Sequence, residues 1–515
     1  MIEMRHAVIT ATSAILMALT TAAPAADISQ DGANVIRDNL NNLLPKDIAK
    51  SAPVTVTPAG SRYEIVYDFA KLLAKIKSED FDIKGLKPFK MFATPQDSGL
   101  WDLEGNNNLN VTSHFTGPDK KRSDFTYSVA DMVFNSVFDP AISYFRSGDF
   151  SAKELKFTSS TDTEVVNASF GNTNYKLSSA DSATAGRLDF AANGKLSSFK
   201  EQVSGKEMPP VNISADSIDF DAKVNGIAAK DLNEIVLFVL DHVDEERLTR
   251  KSETRLKAML DNAFPLLTSL EETIRLNNFA VTSALGGGGA KSFGYHFKVD
   301  GPSNATRIGV AVDATDVKVD SVLVPAGYTA FLPQALDIQF GVPGLNFAAL
   351  GDKFMKTNFL EPTDDSENAG QQAIEKLIPG GVLKVEFPKV SVKSSVYDVQ
   401  VSGELEGRVD TQQGYMMNAS IVARDYDATI KAVQELGKTN PELTQASFGM
   451  MMIKGFAKTD REGAHHWDVA VASDGSIDVN GQQIKGPDEP ITEEAAPSDQ
   501  ATPADDAAPT DDAKP

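Results

Sequence analysis

Apolar side chains recur at every second position along most of this chain. Tyr63, Ile65 and Tyr67 do so, as do Phe125, Tyr127 and Val129, then Ile218, Phe220 and Ala222, then Tyr295, Phe297 and Val299, and Ile308, Val310 and Val312. Successive side chains of a strand point to opposite faces, so this spacing predicts half-buried β-strands. It predicts strands through most of 81–170, from Leu188-Asp189-Phe190 into Leu196 and Phe199, and at 382–387, 390–392, 396–401 and 405–409. A helical period appears in fewer places. Val35, Ile36, Leu40, Leu43 and Leu44 share one side of a helix over 33–44, stopped by Pro45. Phe69, Leu72, Leu73 and Ile76 predict a second short helix, 231–276 a long helical stretch broken at Pro265, and 347–354 a further short one. Turn chemistry places loop tips at Asn106-Asn107-Asn108, Gly117-Pro118-Asp119, Asn193-Gly194 and Asn225-Gly226. It also predicts a flexible loop over 286–289 and a polar loop over 361–370.

The pattern is most compact in 420–484. Tyr426, Ile430 and Val433 fall on one helix face and Gly437 ends the helix. A connection follows Pro441, and then Trp467, Val469 and Val471 alternate with Asp468, Ala470 and Ala472. Asp474-Gly475 and Asn480-Gly481 supply tight turns, with Ile477 and Val479 between them. This unit buries a helix face against one face of an antiparallel sheet. The fold class expected is therefore α+β, predominantly β: extended antiparallel sheet units with a few helices packed on one side. The expected organisation is a signal peptide over 1–25, an N-terminal β-rich region over 26–280 ending in the long helical segment, a C-terminal β-rich region over 281–485 closing with the helix–hairpin unit, and a disordered acidic tail over 486–515.

Composition narrows the partners. The 515 residues are 41% hydrophobic, enough for a core, and carry a net charge of −23, which disfavours nucleic acid and electrostatic docking on anionic lipid. Arg5 and His6 precede an apolar run from Ala7 to Leu19, and Ala23-Pro24-Ala25 fits a signal-peptidase site, giving a mature start near Ala26. No later apolar run is long enough to span a bilayer, so no transmembrane segment is expected after cleavage. There is no cysteine, which fits a Gram-negative periplasm better than a eukaryotic secretory route.

Candidate chemistry is sparse. Gly286–Gly289 followed by Ala290-Lys291-Ser292 resembles a phosphate loop, but Ala290 stands where glycine must let the backbone wrap phosphate. Ser197-Ser198-Phe199-Lys200 matches the serine–lysine pattern of penicillin-interacting enzymes, yet it alternates as a strand where that serine should open a helix. His465-His466 are adjacent in a strand and so point to opposite faces, a poor chelate. Asp216, Asp219 and Asp221, and Asp364, Asp365 and Glu367, offer oxygen ligands without the calcium-loop spacing. No catalytic, cofactor-binding or metal residue is assigned, and no cofactor is expected. One distributed feature remains: the many strands outnumber the helices that could cover their apolar faces. Such a sheet closes into a sandwich, the favoured reading, or presents a groove to an apolar ligand.

The residues Asp425-Tyr426-Asp427-Ala428-Thr429-Ile430, the strand from Trp467 to Ala472, and Asp474-Gly475-Ser476-Ile477-Asp478-Val479-Asn480-Gly481 carry a resemblance to an uncharacterised family of proteobacterial periplasmic proteins, a domain of unknown function. More distantly the chain is similar to AsmA-like envelope proteins. That resemblance implies strand-rich grooves and lipid handling, although those proteins keep an N-terminal anchor and Ala23-Pro24-Ala25 implies cleavage here. The expectation is a non-catalytic periplasmic protein of envelope biogenesis or maintenance that binds lipid or another apolar ligand in a sheet groove. The alternatives are a scaffold for envelope proteins and a hydrolase.

Overall fold

The computed structural model describes residues 28–42, 44, 49–73, 81–117, 120–142, 144–242, 248–356, 366–409 and 414–488. The expected signal segment 1–25, the expected mature start at Ala26, Asp364, Asp365 and all of the expected tail beyond 488 lie outside the described residues.

The chain first forms β1 (Val54–Ala59), β2 (Arg62–Tyr67), β3 (Phe81–Lys84) and β4 (Phe89–Pro95). Six long strands follow: β5 (Trp101–Thr116), β6 (Arg122–Asp139), β7 (Tyr144–Ser160), β8 (Glu164–Asp181), β9 (Leu188–Gly205) and β10 (Val211–Ile227). Then come β11 (Ser269–Ser283), β12 (Gly286–Asp300), β13 (Thr306–Thr315), β14 (Lys318–Ser321), β15 (Ala335–Leu345), β16 (Val382–Lys393), β17 (Asp398–Arg408) and β18 (Met416–Arg424). The last are β19 (Lys458–Thr459), β20 (His465–Val471), β21 (Ile477–Val479) and β22 (Gln482–Lys485). All belong to one sheet. Every pairing is antiparallel and nearly every neighbour in space is the neighbour in sequence, from β1 through to β22. Three short strands fill in: β3 pairs the far end of β5, β14 the start of β12, and β19 the start of β20. The predominantly β, α+β class with a large antiparallel sheet is what the alternation implied. The sheet crosses residues 280 and 281 without a break, through β11 and β12.

The helices are α1 (Gln30–Asn42), α2 (Phe69–Leu73), α3 (Ala229–Asp241), α4 (Arg250–Ala263), α5 (Phe347–Lys356), α6 (Ser366–Leu377), α7 (Tyr426–Gly437) and α8 (Pro441–Lys454). α3–α4 joins β10 to β11 and α5–α6 joins β15 to β16, so both pairs stand at one long margin of the sheet, and α4 touches α5. α7–α8 follows β18 and leads through the short β19 into β20, at the opposite margin. No described helix is long and apolar enough to cross a membrane, a statement that leaves strands out of account.

Several local expectations need correction. Gly286–Gly289 is not a loop but the start of β12, paired with β11 on one side and β14 on the other. A Cβ at Gly289 or Gly286 would collide with the neighbouring backbone, so glycine here permits close strand approach. Asn193-Gly194 lies mid-strand in β9, hydrogen-bonded into β8 and β10. Asn106-Asn107-Asn108 lies inside β5, where the Asn107 side-chain amide donates to the Lys90 carbonyl and accepts from the Lys90 N–H, both at 2.9 Å. The helical reading of 231–276 fails at its end, because Ser269 onward is strand β11. Residues 366–370 of the expected polar loop open helix α6, and the connection after Pro441 is helix α8, capped by Asn440 accepting from the Glu442 N–H at 3.2 Å.

Candidate functional site: an uncovered apolar band

Directly opposed residues share a face of a sheet. Following the register strand by strand from β5 to β20 gives one continuous row: Gly105, Phe134, Phe150, Tyr175, Gly194, Phe220, Ile274, Tyr295, Val312, Ile338, Val390, Val401, Ile421 and Trp467. No residue in it is charged. The parallel row two residues away is nearly as apolar, running Met132, Ala152, Thr173, Leu196, Ile218, Leu276, Phe293, Ala314, Leu336, Val392, Val399 and Ala423. On the other side run Leu103, Ser136, Gly148, Leu177, Ala192, Ala222, Glu272, Phe297, Val310 and Phe340. At the usual strand spacing the central row is roughly 60 Å long.

The opposite face is polar at the same level: Glu104, Asn135, Asp149, Lys176, Asn193, Asp221, Thr273 and His296 follow one another across β5 to β12. Ion pairs cross it, including Lys389–Asp337 at 2.7 Å and Lys384–Glu404 at 2.6 Å. Asp313 accepts from Arg275 at 3.1 Å and meets His296 Nε2 at 2.9 Å. Burial alone would raise the Asp313 carboxyl, but the hydrogen bonds from Arg275 and His296 outweigh it and hold it below the usual range.

The band is covered only at its ends. At the N-terminal end Ala33, Ile36 and Leu40 of α1 pack on Val54, Val56, Tyr63, Ile65 and Met91 to form a buried cluster that reaches Leu103 and Phe138. At the C-terminal end Trp467, only 4% exposed, packs with Ala423 and Val479 beneath Tyr426 of α7, ring centroids 5.2 Å apart. Between them the row from Phe134 to Ile421 is half-buried throughout, and Phe293, Val310 and Phe340 are exposed, Phe340 by 47%. The helical pairs sit at the margins instead of on this face.

A pocket of about 350 Å³ opens on the band next to the N-terminal cluster, lined by Phe69, Phe89, Met91, Leu103, Phe134, Phe145, Phe150, Tyr175 and Leu177. Ser136 also lines it, and its buried hydroxyl has no hydrogen-bond partner among the described residues. Burial pushes the hydroxyls of Tyr144 and Tyr175 up, as a low-dielectric surrounding must.

Mid-strand irregularities cross the sheet beside the band. Glu154, Ser198 and Asn278, on β7, β9 and β11, have φ of 50°, 55° and 51°. The apolar positions change parity there, from Leu196 to Phe199 in β9, because one non-extended residue re-aims the side chains that follow. Phe170 and Phe199 stack beyond this line at 5.0 Å, and Phe125 and Phe157 at 6.1 Å.

The sequence motifs do not converge on this site. Gly286–Ser292 and Ser197–Lys200 are strand segments of β12 and β9. His465 Nδ1 is 2.9 Å from Thr459 Oγ1, whereas His466 Nε2 lies 2.8 Å from Asp460. Asp216 and Asp219 accept from Asn278 and Asn277 at 2.7 and 2.6 Å, and Glu367 lies in α6. What the residue-by-residue reading missed is the pocket lining and its alignment with the rest of the row. No protein-family model matches the chain, no curated protein matches it, and no solved structure matches it.

Proposed function

We propose that this chain is an exported, periplasmic envelope protein that holds lipid acyl chains, or another elongated apolar ligand, along the band. The observation that carries this reading is the combination of length and incomplete cover: fourteen neighbouring strands contribute uncharged residues to one row that is only partly buried between its ends, with Phe293, Val310 and Phe340 exposed beside it. An apolar face of that extent left in water costs about 25 cal/mol per Å², and a bound chain removes the cost without any specific polar contact. The aromatic pocket lined by Phe89, Phe134, Phe150 and Tyr175 gives one place where the end of such a chain can be enclosed while the rest follows the row. The exported address rests on Arg5, the apolar run after it and Ala23-Pro24-Ala25. None of the sequence's candidate catalytic motifs contributes to the band, which favours holding a ligand over transforming one. Titration with a fluorescent fatty acid tests the reading. The full chain should take it up with saturable enhancement, and Phe150→Asp, placed in the pocket lining, should lower affinity by at least tenfold. Equal uptake by the variant, or none by the parent, would sink it.

A further inference from the structure

The turns at one margin of the sheet differ from one another in a way the fold does not require. On this margin β5–β6 and β7–β8 are joined by polar turns containing Lys120-Lys121 and Thr161-Asp162-Thr163, and β9–β10 by Lys206-Glu207 followed by a single exposed apolar residue, Met208. This is the usual chemistry for turns, whose backbone groups need water or side-chain partners. Farther along the same margin the chemistry reverses. The β11–β12 turn carries Leu285, and the loop after β14 carries Val322 and Leu323, 80% and 74% exposed. The two tips are tied together: Gly286 pairs with Ser321, and the Ser321 hydroxyl donates to the Leu285 carbonyl at 3.2 Å. The glycine-rich start of β12 lets β11, β12 and β14 close up behind them, giving the tip a firm base. Beyond it Tyr328 hydrogen-bonds to Asn440 at the start of α8, and α8 exposes Met452 on the same margin.

We infer that this margin inserts into the interface of a lipid bilayer, with Leu285, Val322 and Leu323 as the penetrating residues. By itself a protruding tip of three large aliphatic side chains is smaller than a stable protein interface, which buries about 1,200 Å² or more, and Phe448, Met452 and Ile453 of α8 add further exposed apolar groups at this margin. The tip is well matched to the headgroup–acyl boundary, where apolar side chains are removed from water and an adjacent tyrosine sits at headgroup level. Charge selects the lipid. Lys318 and Asp320 flank the tip with opposite signs, Lys291 faces Asp316 at 3.9 Å, and the chain as a whole is strongly acidic. Insertion is therefore apolar, into uncharged or zwitterionic lipid, and not electrostatic. The purpose assigned to it rests on the proposed function: an acyl chain is drawn from a membrane, and the tip is where the sheet touches one.

Flotation of the full chain with phosphatidylcholine vesicles tests the inference. The parent should float, unaffected by raised salt, and Val322→Asp/Leu323→Asp should remain unbound with an unchanged thermal melt. Leu285→Asp, on the other tip, should weaken flotation independently. Failure of the parent to float, equal flotation of the variants, flotation only with anionic lipid, or a dimer in light scattering that the double variant loses would each overturn it. If flotation fails while fatty-acid uptake persists, the membrane-insertion inference falls and the ligand-band reading stands.

Discussion

The ring of Phe220 lies across Gly194 on the adjoining strand, so closely that a methyl group on Gly194 would overlap it. On the far side of β9, Tyr175 opposes the same glycine, and its ring reaches Phe220 at 5.5 Å. Gly194 thus serves as a window through which two aromatic rings meet over an intervening strand. Gly105 does the same between Phe89 and Phe134, whose rings stack at 5.7 Å. These windows keep the apolar row continuous where a side chain would interrupt it.

Gly194→Val should therefore overpack the band. The expected loss is about 1–3 kcal/mol in chemical denaturation. In a Phe220→Ala background the same substitution should cost much less, because the ring it displaces is gone. An identical cost in both backgrounds would place the strain in the backbone and not in the ring contact.

At the closed end, Trp467 combines ring burial with a hydrogen bond from its indole N–H to the Ile453 carbonyl at 2.9 Å. Trp467→Ala should cost about 3–5 kcal/mol, and Trp467→Phe, which keeps a ring and loses the donor, should cost distinctly less. Ala470→Lys, on the opposite, polar face of β20 where it is paired with Asp478, should stay within about 0.5 kcal/mol. Urea melts of the three variants check the order; a costly Ala470→Lys would mean that both faces are covered.

Much of this architecture is legible in the residues, and the misreadings have physical causes. Alternation identifies the strands because it depends only on which residues face water. Asn193-Gly194 reads as a turn because both residues tolerate turn backbone, yet pairing on both sides and the Phe220 ring explain that glycine better. Leu270 and Ile274 are spaced four apart, as on a helix, while Leu270, Ile274 and Leu276 also fit every second position, and Glu271, Glu272 and Arg275 favour helix locally; the ladder to β10 and β12 decides for strand. The band itself could not be read from any one segment. Ile274 belongs to it because it opposes Phe220 and Tyr295, and that register is a property of the pairing.

The polar face should give the protein an acid-labile contribution. Asp313 is held below its ordinary value in the folded state, so it binds a proton more readily when unfolded. Its stabilisation is complete above the unfolded carboxylate value of about 4 and is lost as pH falls through the lower folded value. Asp313→Asn should melt lower than the parent at neutral pH, with the gap narrowing as the pH is taken below about 4. Melts across that range would contradict the assignment if the gap stayed constant.

The most direct measure of the central claim is native mass spectrometry of the full chain isolated from the cells that make it, beside Val312→Lys, which sets a charge in the middle of the row. The parent should carry a co-purifying apolar molecule of lipid mass, and the variant, folded by the same melt, should carry little or none. A parent that flies as the bare polypeptide, or a variant that retains the same adduct, would contradict the claim that the band is a ligand site.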